Sequence, residues 1–471
     1  MNPARRVFKN SAALTLSTLL ERGVAFLLPV YVARFIGRTA WGEFSTAQSF
    51  TLITISISYW GFQQYLPREV ARDKTRTGDY LGASLLIVLV TSIGFTLLSF
   101  GVVELLDYEP TVDRLIKVGL LVTVLASAEA SIFESVITAL ERMEWIMLVR
   151  FPATIARTAA GLWLLLNGAD IVVLFYLLGA YYLTISVVYF WLLRRSGVRL
   201  RVERTMLRKL TIGAIPFVLV VIAGETFNQV DRIFISKIVS IEQVGVYATG
   251  ILFVQVAQMV APAVMGALFP LLSRLFVRSQ TLFIEVSQRL FKWLLVGMFP
   301  PVLTLIAIAP LLIVGVFSAD YLPSIPVLQL AALSLVPILA TRLLYRVILA
   351  SDNERFALPV AVARSSVNIA LNLLLLPRFG IIGACVALIG LELIGLLLNY
   401  GYVSRMIVAL PLGEYIVRPF ACILLSGTLY YLLLPISPIA AYLAALSLFA
   451  VAVWITRTLT VADWRFLQTY L

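Results

Sequence analysis

The amino-acid sequence predicts an all-α, polytopic membrane protein with about fourteen transmembrane helices. Hydrophobic residues make up 61% and charged residues 13% of the 471 positions, and the mean hydropathy is +0.97. A soluble globular protein carries roughly a quarter charged residues. Apolar runs of about twenty residues, the length that spans a bilayer as a helix, recur along the whole chain. Within lipid, a helix satisfies all its backbone hydrogen bonds inside one such run.

The predicted spans are apolar runs bounded by short polar breaks. They lie near residues 11–36, 42–66, 80–106, 115–139, 150–168, 171–193, 212–237, 245–270, 290–316, 326–350, 357–376, 382–404, 416–435 and 438–456. Basic residues precede the first run, as in a signal peptide. Because Glu21 and Arg22 interrupt that run and no cleavage site is convincing, we expect a retained first helix.

The distribution of the basic residues predicts orientation. The net charge is +12, and most of the 37 Lys and Arg residues fall in alternate loops, which the positive-inside rule places in the cytoplasm. The predicted external loops hold only Arg34, Arg38, Arg114, Lys117, Lys237 and Arg378. We therefore expect a multi-pass protein of the cell (inner or plasma) membrane with both termini cytoplasmic. A nucleic-acid partner is not expected, because orientation accounts for the basic excess.

The longest polar break divides the chain into two similar halves. It runs from Arg194 to about Thr211 and is strongly basic, which suits an orientation signal and linker or a surface for anionic lipid headgroups. An internal echo supports two repeats, because Trp41-Gly42-Glu43-Phe44-Ser45-Thr46 resembles Val244-Gly245-Val246-Tyr247-Ala248-Thr249. Six helices restore the orientation, so the repeat is parallel. We predict six-helix bundles over 1–200 and 201–410, and two final helices with a cytoplasmic tail over 411–471.

Charged residues inside the predicted spans are the candidate functional residues. A central arginine costs about 3 kcal/mol on insertion scales, so such residues need water, a ligand or a partner. Arg22, Arg342 and Arg364 are the main candidates for a ligand-facing cavity. Asn368 and Asn372 share one helix face with Arg364, since they follow it at intervals of one helical turn.

The other intramembrane charges have alternative interpretations. Arg157 and Arg346 are further cavity candidates, or they extend to the cytoplasmic interface. Asp231 and Arg232 form either a coupling site or an interfacial pair. The remaining acidic residues are candidate counter-charges or ion carriers, and they are Glu21, Glu129, Glu225 and Glu392.

The chemistry of the side chains favours an anionic ligand. The chain has 31 Arg but only 6 Lys, and a guanidinium stays charged when buried and binds phosphate oxygens as a two-pronged donor. Genomic base composition also raises arginine content, so this bias alone decides nothing. The sequence contains no histidine and no phosphate-binding loop pattern. We predict no catalytic residues, no metal site and no cofactor.

Four segments resemble the multidrug/oligosaccharidyl-lipid/polysaccharide (MOP) exporter superfamily, and within it the Wzx-type polysaccharide flippases. The segments are Pro29 to Gly42 with Arg34 and Gly37, Gly61 to Arg72, Asp231 to Ser236 followed by Val244 to Tyr247, and Asn368 to Ala384. The resemblance implies two six-helix bundles around a central cavity that opens alternately inward and outward. It also implies a polyprenyl-pyrophosphate-linked glycan as substrate, with membrane lipids and other surface-polysaccharide assembly proteins as partners.

Four rival functions have to be weighed against this flippase. One is a non-transporting structural partner in a surface-glycan assembly complex. A peptidoglycan-precursor flippase of the MurJ branch also requires a cationic cavity. A drug/cation antiporter of the MATE branch prefers acidic intramembrane residues without several arginines. A membrane enzyme of glycan assembly needs catalytic groups on an external loop, and the sole candidate is the short segment Asp107-Tyr108-Glu109.

Overall fold

The computed structural model describes residues 20–225, 227–259, 261–351, 353–410 and 417–459. These ranges are almost entirely helical and contain no β-strand. Several helices are long and apolar enough to cross a membrane. The predicted fold class is confirmed, because the protein is an all-α, multi-pass membrane protein.

The helices follow one another with short connections. In chain order they are α1 (Leu27–Tyr31), α2 (Arg38–Ser58), α3 (Phe62–Arg72), α4 (Thr77–Leu106), α5 (Pro110–Ala139), α6 (Met143–Leu166), α7 (Val173–Arg195), α8 (Arg204–Glu225), α9 (Phe227–Ile238), α10 (Ile241–Gln258), α11 (Ala261–Arg278), α12 (Gln280–Gly297), α13 (Phe299–Val316), α14 (Ser324–Leu333), α15 (Leu335–Ala350), α16 (Ala357–Met406), α17 (Arg418–Leu433) and α18 (Pro438–Ile455).

Local breaks divide several predicted spans into consecutive helices. Gly61, with a φ of +68°, separates α2 from α3, and a left-handed backbone is favourable only for a residue without Cβ. Gly380 has φ +55° and ψ −142° inside α16. This glycine divides α16 into a first arm (357–379) and a second arm (381–406), which correspond to the predicted eleventh and twelfth spans.

Eight segments of the described chain meet the length and hydropathy expected of a membrane-crossing helix. They are 74–106, 110–139, 173–195, 204–224, 280–316, 324–350, 358–406 and 438–455. Helix α17 is also apolar but is shorter than these segments. Since 358–406 contains the reversal at Gly380, it comprises two predicted spans. The total of fourteen crossings stays a prediction.

Apolar side chains cover much of the surface. Leu105 is 87% exposed, and Leu311 and Trp454 are 73% and 77% exposed. A soluble monomer rarely shows large contiguous apolar patches, whereas a lipid-facing surface is apolar throughout. These exposed side chains agree with a protein embedded in a bilayer.

The described residues divide into two compact units that meet in sequence between Ala248 and Thr249. In the first unit a Cβ on Gly119 would lie 2.7 Å from Thr51 Oγ1 and 2.9 Å from the Phe175 ring. This glycine therefore lets α2 and α7 pack closely on α5. In the second unit, α11, α12, α15 and the end of α16 share a buried apolar core. The predicted division at residues 200 and 410 stays a prediction.

Candidate functional site

Arg364 and Glu392 form an ion pair within the second unit. Arg364 Nη2 lies 2.6 Å from Glu392 Oε1, and the two side chains are 28% and 8% exposed respectively. Removing one member of a buried pair leaves an uncompensated charge, so each partner holds the other in place. The structure thus brings together one predicted cavity residue and one predicted counter-charge.

Glycines on the second arm of α16 set the position of Arg364. A Cβ on Gly395 would lie 2.8 Å from Arg364 Nε, and a Cβ on Gly383 would lie 2.6 Å from the Leu375 carbonyl oxygen. Small residues at such contacts allow two membrane helices to approach backbone to backbone. The hairpin therefore holds the guanidinium of Arg364 against the second arm.

Arg342 adds a second cation to this site. Its Nη2 donates to Gln258 Oε1 at 2.9 Å, and its charge acts on Glu392. The charges of Arg364 and Arg342 therefore both act on one carboxylate, that of Glu392. One helical turn further along α15, the Arg346 guanidinium lies 5.6 Å from the centroid of the Phe269 ring, a cation–π distance.

Asn368 and Asn372 lie on the same face of the first arm of α16 as Arg364, and both are fully buried. Asn372 Nδ2 donates to the Asn368 carbonyl oxygen at 3.0 Å and also contacts Asn368 Oδ1. These amides therefore contribute to packing within the second unit, and Arg364 is the more accessible end of the face. Their predicted contact with substrate stays a prediction.

A second charged cluster lies in the first unit. Arg150 Nη2 lies 3.1 Å from Glu21 Oε1, and its Nη1 lies 3.5 Å from Glu134 Oε2. Hydroxyls complete the cluster, since Tyr181 donates to Glu21 at 3.3 Å and Tyr189 donates to Glu134 at 3.4 Å. One arginine thus joins two carboxylates from different helices.

Sequence reasoning missed Arg150 and Glu134. Each lies near the end of a predicted span, where a charge is ordinarily attributed to the membrane interface. Glu21 was predicted to be a counter-charge or an ion carrier, and in the structure it pairs with Arg150. The sequence signal for the missed pair is an acidic residue near the end of one predicted span, Glu134, followed by a basic residue at the start of the next span, Arg150.

Arg157 resembles Arg364 in its place within the repeat. The two arginines occupy the same position relative to the starts of the predicted fifth and eleventh spans. Each also reaches the following span, because the Arg157 guanidinium lies 4.9 Å from the Tyr181 ring centroid and Arg364 contacts Glu392. The internal repeat therefore extends to the placement of buried arginines.

We expect Arg150→Gln to lower the free energy of unfolding by about 3 kcal/mol, since it leaves two carboxylates without their shared cation. The check is the apparent melting temperature of the purified protein in detergent. Arg195→Gln is the matched control, because exposed Arg195 contacts only the Trp191 ring among the described residues. Equal melting temperatures for the two variants would contradict this role.

Three predicted residues lie outside these clusters. Arg22 is exposed and Glu129 is half-buried, and neither side chain has a hydrogen bond or ion pair with another described residue. The Glu225 side chain lies outside the described part of the chain. The roles predicted for these three residues stay predictions.

Asp231 and Arg232 are buried in α9 and contact different partners. Tyr247 donates to Asp231 Oδ2 at 3.2 Å, while Arg232 Nη1 donates to Gln229 Oε1 at 3.2 Å. The same amide oxygen accepts from Ser49 of α2 at 3.4 Å. This motif therefore links α9 to α10 and α2.

The two glycines of the internal echo are in contact. A Cβ on Gly42 would lie 2.0 Å from the Ile241 carbonyl oxygen, and a Cβ on Gly245 would lie 2.2 Å from the Arg38 carbonyl oxygen. The contact is reciprocal, since each glycine faces the carbonyl one helical turn before the other glycine. The sequence echo thus marks a symmetric crossing of the first turns of α2 and α10.

Polar contacts surround this crossing. Arg38 Nη2 lies 2.8 Å from Glu242 Oε1, and Lys237 Nζ donates to the Asp107 carbonyl oxygen at 3.0 Å. The Tyr108 hydroxyl lies 2.7 Å from Ser236 Oγ, and burial raises the pKa of Tyr108 to about 12. The loop between α4 and α5 is therefore packed against α9.

Comparison with known proteins places the chain in a family. The profile of a family described as polysaccharide biosynthesis protein matches residues 7–276, more than half of the chain. The chain belongs to the polysaccharide biosynthesis protein family. A search of curated proteins gives no significant match.

Solved structures show the fold of this family member at low sequence identity. A lipid II flippase MurJ in an inward closed conformation is 14% identical, with 94% of this chain and 98% of that chain covered and a TM-score of 0.75. An inward-facing multidrug resistance MATE transporter of the MOP superfamily is 14% identical over 83% of this chain and 94% of its own, with a TM-score of 0.65. A MOP superfamily transporter from Pyrococcus furiosus is 12% identical over 84% and 96%, with a TM-score of 0.58.

The resemblance to the MOP superfamily is confirmed. These structures establish the fold, and the family profile establishes a relation to polysaccharide biosynthesis. The chain therefore has the fold of membrane transporters and flippases.

Proposed function

We propose that this protein flips a lipid-linked oligosaccharide, an O-antigen or exopolysaccharide repeat unit on a polyprenyl pyrophosphate, from the cytoplasmic to the outer leaflet by alternating access. The observation that carries the proposal is the pair Arg342 and Arg364 in a family of polysaccharide biosynthesis proteins. Both arginines lie in the membrane-spanning part of the second unit, where their charges act on Glu392.

The chemistry of Arg364 suits a phosphate group. Glu392 occupies Nη2, and Nε is buried against Gly395 without a hydrogen-bond partner among the described residues, so a phosphate has to approach the Nη groups. An arginine that keeps free donors binds phosphate oxygens in a two-pronged geometry. Arg342 is close enough to contribute its charge to the same site.

Glu392 supplies a route to coupling. A phosphate that binds Arg364 competes with the Glu392 carboxylate for the same guanidinium. The displaced carboxylate then turns to Arg342 or takes up a proton or sodium ion, because an unpaired buried charge is costly. Return of Glu392 to Arg364 promotes release of the phosphate on the other side.

The membrane potential is the proposed driving force. Moving a negative charge outward across an inside-negative membrane is favourable by about 2.3 kcal/mol per charge per 100 mV. A pyrophosphate diester carries two such charges. Export therefore needs no nucleotide-binding site.

We expect collapse of the potential to reduce outward accumulation of the lipid-linked glycan by about three orders of magnitude per 100 mV at steady state, if both charges move uncompensated. The check is the accessibility of the glycan in proteoliposomes under potassium gradients with valinomycin. Accumulation that does not depend on the potential would exclude electrogenic export.

A peptidoglycan-precursor flippase is the second candidate. The structural similarity to a lipid II flippase extends over 94% of this chain, and a cationic site suits any pyrophosphate-linked substrate. Complementation separates the two candidates: rescue of a strain without its surface-polysaccharide flippase supports the proposal, while rescue only of a strain without its peptidoglycan-precursor flippase supports the alternative. Drug/cation antiport is disfavoured, because the guanidinium groups of Arg342 and Arg364 beside Glu392 repel cations.

A further inference from the structure

A basic cavity lies at one end of the first unit. It has a volume of about 450 Å³ and is formed by the start of α4, the turn between α5 and α6, and the segment that follows α7. Four basic residues line it, namely Lys74, Arg142, Arg199 and Arg201, against a single acidic residue, Asp79. The cavity therefore has a surplus of positive charge.

Little of this charge is neutralised by nearby carboxylates. Arg76 Nε lies 3.0 Å from Asp79 Oδ2, so the one acidic lining residue already has a partner outside the lining. Lys74 pairs with exposed Glu141 at 3.1 Å. Among the described residues, Arg142, Arg199 and Arg201 have no carboxylate within ion-pair distance.

The backbone holds two of these arginines in place. A Cβ on Gly78 would lie 1.9 Å from the Arg199 carbonyl oxygen, and a Cβ on Gly82 would lie 2.2 Å from the Arg201 carbonyl oxygen. The Arg201 N–H also donates to the Gly78 carbonyl oxygen at 3.2 Å. The backbone of the segment after α7 is thus packed against Gly78 and Gly82 of α4. The segment is therefore part of the packed structure of the first unit.

Arg142 is held from the other side of the cavity. Its guanidinium lies 4.5 Å from the centroid of the Trp145 ring, and its Nη1 donates to Ser196 Oγ at 3.4 Å. Stacking orients a guanidinium while leaving most of its N–H groups available. The cavity is therefore a preformed arrangement of donors.

The apolar neighbours of the arginines indicate the source of the anion. Leu200 and Val202 alternate with Arg199 and Arg201 and are 39% and 60% exposed. The segment has no regular secondary structure, and Leu200 and Val202 are not among the residues that line the cavity. The arginines thus line the cavity while exposed apolar side chains point elsewhere, at the ends of helices that span the membrane. This arrangement suits the interface between headgroups and acyl chains.

We propose that this cavity binds the phosphate of an anionic membrane lipid and that the bound headgroup fastens the segment between α7 and α8 to the start of α4. Guanidinium groups recognise the phosphate, and the volume lies within the range that holds a small ligand. The proposal does not depend on the identity of the transported substrate, because none of these residues belongs to the site around Arg364.

The test compares two double variants that remove the same charge. Arg199→Gln/Arg201→Gln removes two lining arginines, while Arg194→Gln/Arg195→Gln removes two arginines at the end of α7 that do not line the cavity. Binding of phosphatidylglycerol, phosphatidylcholine and inorganic phosphate to the purified full-length protein is measured by native mass spectrometry, with the melting temperature as a check of folding.

We expect the wild type to retain phosphatidylglycerol in preference to phosphatidylcholine, and the Arg199/Arg201 double variant to bind it about thirtyfold more weakly. The Arg194/Arg195 variant should stay within about threefold of the wild type, as one surface charge outside a site has a small effect. Equal losses in both variants, no preference for the anionic lipid, or competition by millimolar inorganic phosphate would each overturn the proposal.

A second variant tests the geometry without changing charge. Gly82→Ala places a methyl group against the Arg201 carbonyl oxygen and displaces the segment from α4. We expect weaker phosphatidylglycerol binding, whereas Gly94→Ala, on an open face of the same helix, should bind normally. Normal binding by Gly82→Ala would show that the fixed segment does not form the site.

Discussion

Arg364→Ala is expected to reduce flipping of a pyrophosphate-linked glycan about 10- to 100-fold. The substitution removes a charge-assisted phosphate ligand worth about 1.5–3 kcal/mol, and each 1.4 kcal/mol corresponds to a tenfold change. It also leaves Glu392, which is 8% exposed, without the partner at 2.6 Å. A negative charge then remains where the substrate phosphate has to bind. The measurement is the initial rate of flipping in proteoliposomes containing equal amounts of inserted protein.

A double variant separates binding from structural support. If Arg364 only neutralises Glu392, then Arg364→Gln/Glu392→Gln restores both stability and flipping, because no buried charge is left unpaired. Our account predicts recovery of the melting temperature without recovery of flipping. Arg289→Ala is the matched control, since it breaks another ion pair of 2.6 Å, with Glu285 on α12. Flipping should survive that change within about threefold, the effect of a partly exposed pair.

Gly42→Val is expected to have the second largest effect. A Cβ on Gly42 would lie 2.0 Å from the Ile241 carbonyl oxygen, a separation that requires the backbones of α2 and α10 to move apart. Such movement also separates Arg38 from Glu242, which are 2.8 Å apart. Overpacking of this kind typically costs about 1–3 kcal/mol. We expect the crossing to open and flipping to fall at least tenfold.

The reciprocal geometry of the crossing gives an internal check. Gly245→Val should resemble Gly42→Val, because its Cβ would lie 2.2 Å from the Arg38 carbonyl oxygen. Gly101→Val is the control, since a Cβ there meets no atom within 4 Å. Crosslinking between cysteines introduced at Arg38 and Glu242 reports the separation directly. Undiminished crosslinking in Gly42→Val would contradict the predicted opening.

The fold class was predictable because a bilayer restricts the possible structures. Apolar runs long enough to cross must be helical in lipid, and the two arms of α16 on either side of Gly380 correspond to predicted spans. Hydropathy gives no backbone dihedrals, however, so the break at Gly61 and its φ of +68° were not predicted. Spans such as 42–66 were expected to be continuous and instead consist of two helices.

The candidate site was predictable only in part. Arg364 and Glu392 were identified singly from their depth in apolar runs, but the hairpin at Gly380 that brings them together is a tertiary feature. The triad of Glu21, Arg150 and Glu134 shows the same limit, since its members come from separate helices. Sequence spacing reveals partners on one helix, as for Asn368 and Asn372. Partners on different helices require the packing.

The most direct test of the central claim is flipping of a polyprenyl-pyrophosphate-linked oligosaccharide by the purified protein in proteoliposomes, with Arg342→Ala and Arg364→Ala beside the wild type. We expect the wild type to move the glycan to the opposite leaflet, and both arginine variants, inserted equally, to move it at least about tenfold more slowly. If the wild type moves no pyrophosphate-linked glycan, or if both variants move it at the wild-type rate, the arginine site is not where a lipid-linked oligosaccharide is carried.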